Sequence, residues 1–93
     1  MNITLRQLTF FETVARLQNF SQAAHELHRT QPAVSMQIHQ FEETVGLPLF
    51  DKIGRDIQLT EAGREMYRRT QAISHQLRET EAALQALRGI KGG

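Results

Sequence analysis

The segment SQAAHELHRTQPAVSMQIH, from Ser21 to His39, decides the fold of this chain. It contains two short helical patterns, separated by a break at residues 28–30. Ser21 can cap the first helix and Thr30 the second, because a hydroxyl oxygen accepts hydrogen bonds from the free amides of a helix start. Pro32 falls in the first turn of the second helix, where its missing N–H costs nothing. Two short helices joined by a tight turn form a helix-turn-helix unit.

The second of these helices has the clearest apolar face in the chain. Its apolar side chains fall within about 60° of one another on a helical projection, and they are Val34, Ile38, Phe41 and Val45. This stripe predicts the side that packs into a core, and Gly46 is suited to end the helix. The opposite side carries small and polar groups, which are Pro32, Ser35, Met36, His39, Gln40 and Glu43. We expect that side to face outward.

A further helix is predicted before this unit, from about residue 5 to 17. Apolar side chains recur there at helical spacing, at Leu5, Leu8, Phe11 and Ala15. Thr4 and Gln7 have the spacing of a capping box, in which each side chain bonds to the backbone N–H of the other residue. The sequence therefore predicts a core of three helices.

A short hairpin is predicted after the third helix. Two short alternating segments, 49–53 and 57–59, flank Gly54-Arg55-Asp56, and a turn of this kind between alternating segments is typical of a β-hairpin. Arg55 then lies at the tip and Lys52 behind it. A two-stranded hairpin that follows a helix-turn-helix unit is a wing.

The chain ends in a long helical pattern, predicted over 61–88 with Thr60 as its cap. Its seam residues alternate spacings of four and three, as in a coiled coil with two threonine defects, and they are Met66, Thr70, Ile73, Leu77, Thr80, Leu84 and Leu87. So long a stripe cannot be covered by the small preceding body, which predicts a partner helix and a homodimer. The expected dimerisation residues are the apolar members, Met66, Ile73, Leu77, Leu84 and Leu87. Residues 89–93 are expected to form a flexible tail.

Composition limits the remaining possibilities. With 93 residues there is room for one small domain, and the absence of cysteine excludes disulfide scaffolds, iron–sulfur clusters and thiolate zinc sites. The net charge is only +1 and the sequence pI about 8.3, whereas domains that bind nucleic acids usually exceed a pI of about 9. Any basic surface must therefore be local. No apolar run is long enough to span a membrane.

Neither a catalytic site nor a cofactor is predicted. His25 and His28 have the spacing of a ligand pair, but no third ligand is near, so solvated or capping histidines are expected. The sequence has no nucleophile elbow and no glycine-rich phosphate loop. Ion pairs with neighbouring glutamates, rather than DNA contacts, are favoured for three arginines of the long helix, Arg64, Arg68 and Arg69.

The outward side of the third helix suits the major groove of DNA, where a helix-turn-helix unit places its second helix. Small apolar and hydrogen-bonding side chains are of the kind that contact base edges. The expected base contacts are Gln31, Pro32, Ala33, Ser35, Met36 and His39, of which His39 could equally be merely exposed. The basic wing is expected to contact the DNA backbone or a narrow minor groove through Arg55 at its tip, with Lys52 behind it.

Several motifs stand at mutually consistent spacings. They are Ser21 with Leu27, the run Thr30-Gln31-Pro32-Ala33-Val34-Ser35, Leu49-Phe50, Arg55, and Leu59-Thr60-x-Ala62-Gly63. Together they resemble the N-terminal DNA-binding domain of LysR-type transcriptional regulators, and the resemblance runs from Leu5 to Gly63 and on into the long helix. The stretches 33–37 and 46–50 look most like the branch of that family that regulates carbon-fixation operons.

The resemblance implies a role for each matching position. The third helix would be the recognition helix, with Gln31, Pro32, Ala33, Ser35 and Met36 facing the groove. Ser21 and Thr30 would lie near phosphates, Arg55 would be the basic residue of the wing, and the long helix would pair with that of a second subunit. Many relatives carry Arg or Lys where Met36 stands, which implies one cationic contact fewer here.

The sequence thus predicts a mainly α winged helix-turn-helix domain over 1–60, a dimerisation helix over 61–88 and a tail over 89–93. The expected function is sequence-specific binding of double-stranded DNA by a homodimer at an inverted-repeat site, in the bacterial cytoplasm at the nucleoid. Full-length members of the resembled family carry a large effector-sensing domain, for which this chain is expected to have no room. The alternative is a helical dimerisation or adaptor module that binds protein.

Overall fold

Four helices and one hairpin make up the part of the chain that the computed structural model describes, which is the backbone of residues 1–92 and the side chains of residues 1–89. In chain order the elements are α1 (Leu5–Leu17), α2 (Phe20–Leu27), α3 (Gln31–Val45), β1 (Phe50–Ile53), β2 (Asp56–Leu59) and α4 (Glu61–Gly92). The predicted order of a three-helix core, a two-stranded wing and a long helix is confirmed.

The predicted helix starts are confirmed for α1 and α3 and wrong for α2. Thr4 and Gln7 form the capping box of α1, and the Thr30 hydroxyl accepts the backbone N–H of Ala33 at 3.3 Å. Helix α2 is capped by Asn19, whose side-chain oxygen accepts the backbone N–H of Gln22 at 2.8 Å, and not by Ser21. The helix begins earlier than predicted because Phe20 belongs to it.

The core lies between α1, α2 and α3, with the rings of Phe11 and Phe41 at its centre. Both rings are fully buried, and their centroids lie 5.8 Å apart in an edge-to-face arrangement. Phe50, at the start of β1, joins this cluster at 5.4 Å from Phe11. The predicted apolar stripe of α3 is confirmed, since Val34, Ile38 and Phe41 are buried and Val45 packs against the core. The opposite side of α3 therefore faces outward.

The wing is an antiparallel hairpin in which Phe50 pairs with Leu59 and Ile53 with Asp56. Gly54 and Arg55 form the turn, and Gly54 has a φ of 62°, a conformation that favours glycine. Arg55 lies at the tip, as predicted. The burial of Ile57, which is 8% exposed, anchors the hairpin to the core.

Helix α4 continues to Gly92 and is thus longer than predicted. The predicted tail is helical over residues 89–92, while its last position, Gly93, lies outside the described residues. Nothing after Arg88 forces an end, because Gly89 keeps a negative φ and no proline follows. Within the described residues, no helix has the long uncharged apolar run that crossing a membrane requires.

Candidate nucleic-acid interface

The N-terminal half of α3 presents the predicted contact side chains to solvent. Their exposure follows from the burial of Val34 and Ile38 on the other side of the helix. Met36 is 58% exposed and Ala33 is half-buried. The remaining predicted base contacts, Gln31, Pro32, Ser35 and His39, are exposed. No part of the described chain covers this face.

Two adjoining grooves bring α3 and the wing together. The first, of about 400 Å³, runs between the start of α2 and the wing and is lined by Ser21, Gln31, Lys52 and Arg55. The second, of about 360 Å³, lies between α3 and the wing and is lined in part by Gln31, Ser35, His39 and Lys52. Because Gln31 and Lys52 border both grooves, the predicted contacts from α3 and from the wing lie on one continuous surface.

The hydroxyl of Ser21 bonds to another predicted contact residue. Ser21 Oγ donates to Gln31 Oε1 at 3.0 Å, although the two residues begin different helices. With Oε1 engaged, the free amide of Gln31 offers N–H donors to a ligand. Ser21 therefore lies at the predicted face, but its bond within the domain goes to Gln31.

Two further contact residues have local partners. His39 Nε2 lies 3.1 Å from Glu43 Oε1, with both side chains largely exposed one helical turn apart. The Thr30 hydroxyl oxygen accepts the cap bond from Ala33 and can still donate its proton to a phosphate. Among the described residues, no group of three or more His, Asp or Glu side chains is placed to hold a metal ion.

The cations of α4 and those of the wing differ in their partners. Arg68 and Arg69 pair with Glu65, and these hydrogen bonds hold the pKa of the Glu65 carboxyl below its usual value. The predicted ion pairs of α4 are thus confirmed for these two, whereas Arg64 donates instead to the Leu59 carbonyl at 3.2 Å. Within the described side chains, the two cations of the wing, Lys52 and Arg55, make no ion pair. The wing therefore places two unpaired positive charges beside the α3 face.

The predicted dimer seam of α4 has a first part that packs on its own chain and a later part that is exposed to solvent. Its first part packs on the body of the same chain, where Met66 is partly buried against the core and Thr70 is only 1% exposed. Met66 thus packs partly against its own chain, and its contact with a partner helix stays a prediction. The later part of the seam stands free, with exposures of 43% to 57% for Ile73, Leu77, Leu84 and Leu87.

One residue of the site, Glu42, had not been predicted. Its carboxylate oxygen accepts the backbone N–H groups of Leu49 and Phe50, at 2.6 and 3.2 Å, and so joins α3 to the base of the wing. No sequence signal marks this role, because a glutamate inside a helix is ordinarily solvated.

Residues 5–64 match a known family, described as bacterial regulatory helix-turn-helix proteins of the lysR family. The chain belongs to the LysR family. Among its relatives, the RuBisCO operon transcriptional regulator of Allochromatium vinosum is 50% identical over 93 residues, which are all of this chain and 31% of that protein. The HTH-type transcriptional regulator CfxR of Cupriavidus necator is 44% identical over 91 residues, which are 98% of this chain and 29% of that protein. This LysR-family chain thus spans about a third of the length of these relatives.

Solved structures of the LysR family share the fold. A crystal structure of the BenM DBD with benA site 1 DNA has a TM-score of 0.87 and 27% identity, covering 91% of this chain and 96% of that one. The complex of the CbnR DBD with DNA has a TM-score of 0.83 and 29% identity, covering 91% of this chain and 98% of that one. The predicted winged helix-turn-helix fold is confirmed by these structures.

Proposed function

We propose that this chain binds double-stranded DNA as a homodimer, with α3 in the major groove and the wing beside it. The observation that carries the proposal is the continuous surface on which Gln31, Ser35 and His39 meet the unpaired cations Lys52 and Arg55. Its polar side chains can bond to base edges, and its cations can neutralise phosphates. DNA binding is further supported by the LysR-family domains of the same fold that have been solved in complex with DNA.

Within this surface we assign two kinds of contact. Base edges are read from the outward side of α3, by Gln31, Pro32, Ala33, Ser35, Met36 and His39. Phosphates are held by the Thr30 hydroxyl and by the wing cations Lys52 and Arg55. Ser21, predicted as a further phosphate contact, donates its one hydroxyl proton to Gln31 and orients that side chain. Contacts to phosphates fix the register without carrying sequence information, while contacts to bases carry it.

The free part of the α4 seam is the proposed dimer contact. Ile73, Leu77, Leu84 and Leu87 form an exposed apolar stripe at coiled-coil spacing, and a second copy of the same helix would cover it. Two α3 helices related by a two-fold axis favour an inverted-repeat site. A protein-binding adaptor would use the same stripe but leaves the cationic surface beside α3 without a role.

The relatives narrow the proposed biological role. Because this chain is 50% identical to a protein named a RuBisCO operon transcriptional regulator, we assign it to the control of carbon-fixation operons in the bacterial cytoplasm, at the nucleoid. The sensing of a metabolite would fall to regions of such regulators that this chain does not span.

A gel-shift assay with mixed genomic fragments at moderate salt, combined with sedimentation of the free chain, tests the proposal. We expect a dimer that retards a subset of fragments. The double variant Gln31→Ala, Ser35→Ala should remain dimeric and lose the preference among fragments. A chain that retards no fragment, or that retards all fragments equally, would contradict the proposed function.

A further inference from the structure

The carboxylate of Glu42 holds the start of the wing against α3. Its Oε2 accepts hydrogen bonds from two successive backbone amides, those of Leu49 at 2.6 Å and Phe50 at 3.2 Å. The side chain is half-buried and Leu49 is fully buried. Hydrogen bonds to an ionised acceptor are stronger than those between neutral groups, so this contact fixes where the chain leaves α3.

The same short segment is also bonded to the beginning of α4. The Leu49 carbonyl accepts the backbone N–H of Thr60 at 3.0 Å. The Thr60 hydroxyl donates to the Pro48 carbonyl at 2.7 Å and accepts the Gly63 N–H at 2.9 Å, which caps α4. A Cβ at Gly63 would overlap the Leu49 carbonyl oxygen, so α4 approaches this backbone as closely as it can. Residues 48–49 are therefore clamped between α3 and α4.

We propose that Glu42 is a positioning residue that fixes the angle between the DNA-reading helix α3 and the dimerisation helix α4. The inference rests on the proposed function, because it concerns two α3 helices carried by a dimer. Apolar packing through α1 also holds the two helices together, but such packing is non-directional. The bonds from Glu42 through Leu49 to Thr60 are directional and select one angle.

The consequence for DNA is a fixed distance between half-sites. One added base pair moves a half-site by about 3.4 Å along the axis and rotates it by roughly 34°. If the connection from α3 to α4 is rigid, one added base pair lowers the affinity of the dimer for its site. If the connection is loosened, the dimer can bind sites with different spacers. Glu42 therefore acts on spacer preference rather than on the reading of any single base.

The experiment measures the affinity of the chain for duplexes with spacers of different length. The duplexes carry the half-site that the wild-type chain selects from random DNA, with the spacer lengthened or shortened by one or two base pairs. Glu42→Ala should lower the ratio of affinities between the best and the altered spacers by about tenfold, and Glu42→Gln by about two- to threefold. Glu42→Gln retains an oxygen that can accept both amides, which explains its smaller effect.

Glu43→Ala and Glu43→Gln are the matched controls. They remove the same charge from the next residue of α3, whose only polar partner among the described residues is His39. They should change the affinity for all spacers by a common factor and leave the ratio unchanged. Amide hydrogen exchange provides a second readout, in which Glu42→Ala should speed exchange at Leu49 and Phe50 more than in α1.

The outcomes separate this inference from the proposed function. A wild-type chain without spacer preference would contradict the dimer on an inverted repeat, and the inference would fall with it. The role of Glu42 alone would be overturned if Glu42→Ala kept the spacer preference of the wild-type chain. It would also be overturned if Glu42→Ala lowered the affinity for all spacers by the same factor. If Glu42→Ala does not fold, Glu42→Gln is compared with Glu43→Gln instead. A lower ratio of affinities in Glu42→Gln alone supports the role of Glu42, and equal ratios in the two variants overturn it.

Discussion

Ser21 Oγ lies 3.0 Å from Gln31 Oε1, so a single hydrogen bond joins the first turn of α2 to the first turn of α3. Both side chains border the groove that also contains Lys52 and Arg55. With the oxygen of Gln31 held by Ser21, its amide presents donors outward, and these suit acceptors such as N7 of a purine. We therefore propose that Ser21 influences base reading through Gln31.

Replacement of Ser21 by alanine tests this relationship. Ser21→Ala should cost about 1 kcal/mol of discrimination at the base pair that Gln31 reads, and it should have little effect when Gln31 is already alanine. Binding titrations with the matched and the substituted base pair give the coupling energy. Ser74→Ala, which removes a hydroxyl from α4, serves as the control. Additive effects of Ser21→Ala and Gln31→Ala would show that the two residues act separately.

Periodicity in the sequence was sufficient to predict the fold. Val34, Ile38 and Phe41 repeat at helical spacing and are buried, and this fixes which side of α3 faces outward. The start of α2 could not be predicted in the same way, because Asn19 and Ser21 are both good caps. The choice depends on Phe20, whose ring lies 6.2 Å from that of Phe50 in β1, a contact between residues distant in sequence.

The sequence predicts which side chains of the candidate site lie on the outward face of a helix. It does not predict the hydrogen bonds that join separate elements of the fold. Gln31, Ser35 and His39 follow from the outward side of α3. The role of Glu42 requires the chain to turn at Gly46, where φ is 84°, and to return the amide of Leu49 to the helix. Met66 fits the seam spacing, yet part of its side chain packs against the core of its own chain.

Arg55 at the tip of the wing should supply affinity without selectivity. Arg55→Ala should weaken binding to specific and shuffled duplexes by the same factor and reduce the salt slope by about 1, because one phosphate contact is lost. Titrations at several salt concentrations measure both quantities. Arg68→Ala is the control, since Arg68 is paired with Glu65 on α4. A loss restricted to one sequence would show that Arg55 reads bases.

Gly63 in the first turn of α4 should not tolerate a side chain. Gly63→Ala is expected to lower the free energy of unfolding by about 1–3 kcal/mol, because its Cβ would overlap the Leu49 carbonyl oxygen. Gly89→Ala has open space and should change it by less than about 1 kcal/mol. Urea denaturation monitored by circular dichroism compares the two. Equal stability of both variants would contradict the close approach of α4 to Leu49.

The free seam of α4 should carry the dimer. Leu77 is 43% exposed, and Leu77→Glu should weaken self-association by at least about 2 kcal/mol, because it would bury a carboxylate in the contact. Sedimentation equilibrium gives the dissociation constant. Ala82→Glu is the control, since it places the same charge about 140° around the helix. Loss of the dimer in both variants, or in neither, would contradict the assigned seam.

Selection of bound duplexes from a random pool by the wild-type chain is the most direct test of DNA reading by paired α3 helices. The expected result is an inverted repeat whose half-sites lie about one helical turn, or a multiple of it, apart. Gln31→Ala should then relax one position in each half-site. Recovery of an unrepeated motif, or of no common sequence, would contradict the account.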